Sequence, residues 1–112
     1  VLWEQTYGGT RFDAAQAVIS SKDGGYSVVG NSKTSDIEAT KNNGENDIWV
    51  LKTDSTGSLL WQNSFGGIDL DYGFDIVENL DGSILVVGET LSTDFPTQAN
   101  KGKTDLVVMK LK

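Results

Sequence analysis

An all-β fold made of one unit written twice follows from three observations. The chain aligns with itself at an offset of 58 residues, each copy carries four short apolar runs, and the runs are separated by turn residues rather than helix formers. At that offset 16 of the 54 overlapped positions are identical, without a gap. Leu2-Trp3 falls on Leu60-Trp61, Gly8-Gly9 on Gly66-Gly67, and Asp13 on Asp71. Val28-Val29-Gly30 falls on Val86-Val87-Gly88, Asp47 on Asp105, and Lys52 on Lys110. Turn residues that stay in register over the whole length mark a structural repeat.

The elements follow in order. Leu2–Tyr7 alternates, with Trp3, Gln5 and Tyr7 on one side, and predicts a strand with one covered face; Leu60–Phe65 is its copy. Ala15–Ser21 and Gly73–Asn79 come next and run into Asp23-Gly24 and Asp81-Gly82. These dipeptides predict tight hairpins with positive φ at both central positions. Tyr26–Asn31 and Ile84–Glu89 are the return strands. Asp47–Thr53 and Asp105–Leu111 hold continuous apolar runs that predict burial on both faces. A further turn, 54–58, leads into the second copy.

Four strands repeated at this period predict β-propeller blades, two four-stranded antiparallel blades in a single unit 1–112, divided as 1–58 and 59–112. An eight-stranded sandwich built by duplication is the competing architecture. By analogy with WD-repeat blades, Ala15–Ser21 is innermost and Leu60–Phe65 closes the first blade outside. The second blade then lacks its outer strand, while Leu2–Tyr7 is an outer strand with no blade of its own. Two blades cannot close a ring, which takes about four to eight. Either identical chains join head to tail, three or four giving six or eight blades, with Leu2, Trp3, Gln5 and Tyr7 as the assembly strand, or further blades of a longer parent protein complete it. The opening at Val1 without Met suggests a processed or excised chain.

The second copy reads Asp71-Tyr-Gly-Phe-Asp-Ile76, then Asp81-Gly-Ser-Ile-Leu-Val-Val-Gly88. It continues Glu89-Thr-Leu-Ser-Thr-Asp94-Phe-Pro-Thr97 and ends Asp105-Leu-Val-Val-Met-Lys110. This string resembles the bacterial seven-bladed β-propeller repeat (SBBP) family. The first copy departs from it, with Ile37-Glu38 in place of Phe-Pro. It is more similar to related repeats of large secreted surface proteins, through Asp23-Gly-Gly-Tyr26 and Asp47-Ile-Trp-Val-Leu-Lys52. The resemblance implies a propeller in a bacterial extracellular or cell-surface setting, and no particular activity.

Composition narrows the function classes. With no His and no Cys, the commonest general base, transition-metal ligands and thiol nucleophile are all missing, and no enzyme is expected. A net charge of −7, from 9 Lys+Arg against 16 Asp+Glu, argues against nucleic acid and anionic membranes. No apolar run reaches the roughly 20 residues a membrane helix needs.

The expected function is a non-catalytic scaffold or binding module, with a carbohydrate-binding, lectin-like propeller as the alternative. Its candidate ligand residues lie in loops that share one end of the blades: Arg11, Phe12, Asp13, Asp69, Asp71 and Tyr72. For the aspartates the competing reading is structural, each carboxylate accepting hydrogen bonds from loop amides just before a strand. Asp36, Glu38, Asn42 and Glu45 form a candidate calcium set, since calcium takes hard oxygen ligands. Their spacing matches no EF-hand, and a solvated acidic loop competes with it. No other cofactor is expected. A glycan or a protein is the candidate ligand class.

Overall fold

The computed structural model describes residues 1–9, 11–33, 45–92 and 103–112. Among them are seven strands and no helix: β1 (Asp13–Ser20), β2 (Tyr26–Ser32), β3 (Asp47–Thr53), β4 (Leu59–Phe65), β5 (Asp71–Glu78), β6 (Ile84–Thr90) and β7 (Asp105–Leu111). β1-β2-β3-β4 form one antiparallel sheet and β5-β6-β7 a second. The duplication therefore folds as two sheets of like topology.

The three described hairpin turns share one design. Ser21 N–H donates to Gly25 O at 2.8 Å and Gly24 N–H to Ser21 O at 3.0 Å. The same pair of bonds recurs from Asp54 to Ser58 and from Asn79 to Ser83. The fourth residue of each turn is a glycine at positive φ: Gly24 (+90°), Gly57 (+85°) and Gly82 (+83°). Each loop therefore holds three residues between the closing pair, one more than the two-residue hairpin predicted at Asp23-Gly24 and Asp81-Gly82. Positive φ falls on the glycine, where it costs no Cβ clash, while the aspartate side chain accepts backbone hydrogens instead. Asp23 takes the N–H of Gly25 and Asp81 that of Ser83.

The turn aspartates carry a pH signature. The Thr56 hydroxyl, then the N–H groups of Thr56, Ser58 and Gly57, hold the Asp54 carboxyl below its ordinary 3.8. The Ser83 hydroxyl and N–H do the same for Asp81. A lowered folded pKa adds stability above the ordinary carboxylate value, and that stability disappears as pH falls through the folded value. Thermal melts from pH 7 to 3 should show the stability gap between the wild type and Asp54→Asn/Asp81→Asn closing below about pH 4. A gap that stays constant would contradict the assignment.

A β-bulge lies between Ala15 and Ala17 in β1, and its copy between Gly73 and Asp75 in β5. Opposite them, Gly30 and Gly88 approach the first strand so closely that a Cβ would stand 2.1 Å from Ala14 O or Tyr72 O. Gly30→Ala and Gly88→Ala should each cost about 2 kcal/mol or more in urea unfolding, because the obstacle is backbone and cannot rotate away. Loss below 0.5 kcal/mol would show that the bulge adjusts freely.

The core lies between the sheets. Val29, Ile48 and Val50 of the first sheet meet Ile76, Ile84, Val86 and Met109 of the second, with Trp61, Phe65, Val107 and Leu111 packed around them. Side chains alternate across a strand, so the opposite face of each sheet carries the other set of residues. On the first sheet that set includes Trp49 and Leu51, which pack with Val28 and Tyr7. On the second it includes Val77, Leu106 and Val108, which are 49%, 76% and 55% exposed.

Two expectations change here. β3 is buried throughout save Lys52, as predicted, but β7 is half-open, because its apolar run has one face on the core and one in solvent. Leu2–Tyr7 is not a strand. Its alternation matches that of β4, but β4 has β3 to pair with. Among the described residues Leu2–Tyr7 has no such ladder in either sheet, while its Trp3 and Tyr7 side chains meet Tyr26 and Gly57.

Candidate functional site

Two equivalent corners stand where β1 and β5 begin. At the first, Asp13 accepts the N–H of Gly9 at 3.0 Å and the hydroxyl of Ser32. At the second, Asp71 accepts the N–H of Gly67 at 2.9 Å and the hydroxyls of Thr90 and Ser92, the latter at 3.0 Å. Both of these first-corner bonds have their copies 58 residues on. Backbone bonds repeat too, Lys33 N–H to Phe12 O at 2.8 Å and Leu91 N–H to Leu70 O at 2.9 Å. Each carboxylate thus ties the preceding loop to the end of the adjacent strand, the structural role weighed above for these aspartates.

The two corners differ in cover. Asp13 is half-buried, whereas Asp71 is 0% exposed. The first sheet supplies the difference. Asn46 O accepts the N–H of Asp71 at 2.8 Å, the Asn46 amide donates to Asp71 O, and Asn31 Oδ1 accepts the N–H of Gly73 at 2.8 Å. Asp47, also 0% exposed, flanks the same spot. A Cβ on Gly66 would lie 2.3 Å from Asp47 Oδ1 and 2.6 Å from Asp71 Oδ2, so only glycine lets the chain pass between the carboxylates.

The repeat alignment pairs Asp13 with Asp71 and Asp47 with Asp105, and so does not by itself bring Asp47 to Asp71. The signal available was the repeat itself: when one unit packs on its copy, the start of β3 in one meets the start of β5 in the other. With no exposed surface, neither carboxylate reaches a molecule in solution.

The other candidate residues are distributed as follows. Arg11, Phe12 and Asp69 are exposed and Tyr72 is half-buried. Arg11 and Phe12 precede Asp13 at one corner, while Asp69 and Tyr72 flank Asp71 at the other. The Asp69 N–H donates to Ser92 Oγ at 2.9 Å, which ties that residue to its corner. Of the calcium set, Asp36, Glu38 and Asn42 lie outside the described residues, and Glu45 is exposed beside Asn46. Among the described residues, no group of three or more acidic side chains is placed to hold a metal ion.

The predicted assembly strand lies across the open face of the first sheet. Leu2 and Gln5 are exposed. The Trp3 ring sits 6.0 Å from that of Tyr26, tilted by 52°. The Tyr7 hydroxyl donates to Gly57 O. Burial, reinforced by the charge of Asp54, pushes the Tyr7 phenol above its ordinary pKa. Beside Tyr7 opens a cleft of about 240 Å³, lined by Val28, Trp49, Leu51, Ala15 and Asp13. The cleft is mostly apolar, and its polar edge is the Asp13 corner.

No family model matches the chain, and no curated protein matches it either.

Proposed function

We propose that the chain is a pair of β-propeller blades acting as a non-catalytic scaffold and binding module of a bacterial surface or secreted protein. The observation that carries this reading is the direction of packing. The face of the first sheet that bears Val29, Ile48 and Val50 meets the opposite face of the second, that bearing Ile84, Val86 and Met109. Repeats that stack front to back can be extended, whereas repeats that stack front to front are closed at two. The resemblance to bacterial seven-bladed β-propeller repeats and the lack of His and Cys point the same way.

A broad glycan array with the purified chain tests the reading against a lectin. Binding to none of the panel is the expected result, and dose-dependent binding to one glycan class would replace the scaffold with a carbohydrate-binding propeller. Calcium should leave the melting temperature unchanged. An upward shift on titration would make the acidic loop a metal site.

A further inference from the structure

Building on the blade reading, we infer that a second copy of this chain docks its β5-β6-β7 sheet on the open face of the first sheet. Leu2–Tyr7 of the first copy then joins β7 of the second as a fourth strand. The two open faces are repeat copies of the two faces that already mate within the chain. At the 58-residue offset, Val29, Ile48 and Val50, all fully buried between the sheets, correspond to Val87, Leu106 and Val108. On the other side, Ile84, Val86 and Met109 correspond to Tyr26, Val28 and Leu51. One chain therefore carries both halves of a joint whose finished form it also contains.

The N-terminal segment supports the same arrangement independently. Trp61 and Phe65, on β4, pack against the core formed with the second sheet. Their copies Trp3 and Tyr7 pack on Tyr26 and on Trp49 with Leu51, the copies of Ile84, Val107 and Met109. Leu2–Tyr7 thus already occupies, over the first sheet, the place that β4 occupies over the second. Only the three strands that β4 has beside it are missing there, and among the described residues β5-β6-β7 is a three-stranded sheet in which β7 is an edge strand. An apolar edge strand of this kind is a template for strand addition.

Local details bear on the joint as well. Glu89, the copy of Asn31, brings an acceptor toward the N–H of Ala15, the copy of Gly73. A Cβ on Gly73 would stand 2.6 Å from a Val29 methyl and 2.9 Å from the Ile48 β-branch methyl. Leu106, the copy of Ile48, has no β-branch and vacates the second position, while Val87 keeps the first and must shift to admit the Ala15 methyl.

The register follows from the β3–β4 ladder. Val50 pairs with Asn63 and Ile48 with Phe65, so Val108 should pair with Gln5 and Leu106 with Tyr7 of the other copy. Opposed antiparallel residues bring their Cα atoms about 4.5–5.5 Å apart, within disulfide reach. Gln5 and Val108 are both exposed, so Gln5→Cys/Val108→Cys should fold, and the parent chain has no cysteine to interfere. Oxidation of the full chain should give disulfide-linked multimers on a non-reducing gel. Gln5→Cys/Leu106→Cys, two residues out of register on the same face, should give at least fivefold less. Equal yields from both pairs, or a disulfide confined within single chains, would overturn the docking. The glycan array would still decide the scaffold reading on its own.

Discussion

Asp71→Ala should lower the unfolding free energy by about 4 kcal/mol, several times the loss at the equivalent Asp13→Ala, near 1 kcal/mol. The substitution leaves the Gly67 N–H and the hydroxyls of Thr90 and Ser92 without their shared acceptor, in a corner with no access to water. A buried donor left unsatisfied costs about 1–3 kcal/mol. At Asp13 the Gly9 N–H is exposed and water can replace the carboxylate. Urea unfolding of both variants, in solution dilute enough to keep chains apart, measures the difference. Equal losses would mean that the first sheet does not seal the second corner.

The second large effect belongs to Ile76, which is 2% exposed in the core between the sheets. Ile76→Ala should cost about 3–4 kcal/mol, the range for deleting a large aliphatic side chain from a packed interior. That is a sizeable part of the 5–15 kcal/mol that holds an ordinary domain together. Val18, its copy 58 residues earlier, is 61% exposed, and Val18→Ala should cost no more than about 0.5 kcal/mol in an isolated chain. In the proposed joint between copies Val18 would take the place of Ile76, so the cost should rise at concentrations where copies associate. Denaturation of both variants across a concentration series reads both quantities. A small loss at Ile76→Ala would show that the two sheets do not rely on each other.

What could be read from the residues divides along a physical line. Local chemistry was legible. Asp23-Gly24 and Asp81-Gly82 announce turns, and the alternating and apolar runs announce strands, because both depend on neighbours a few positions away. The turns still came out one residue longer than expected, with positive φ on the glycine and the aspartate side chain accepting a backbone hydrogen. Long-range partnership was less legible. Leu2–Tyr7 has the same pattern as β4, but a strand also needs an adjacent edge, and the pattern does not say whether one is there. The open face of β7 has the same cause, since its apolar side chains were read without knowing which sheet would cover them. The meeting of Asp47 and Asp71 depends on how one copy leans on the next, which no single copy encodes. The outward faces and the N-terminal segment nevertheless follow from the repeat once the packing direction is known.

The central claim is that the joint inside the chain is the joint between chains. The molar mass of the purified 112-residue chain, by light scattering over a wide concentration range, tests it most directly. The account predicts a discrete multiple of 12.1 kDa, three or four chains for a closed ring, assembling as concentration rises. A mass that stays at 12.1 kDa up to the highest soluble concentration would contradict it.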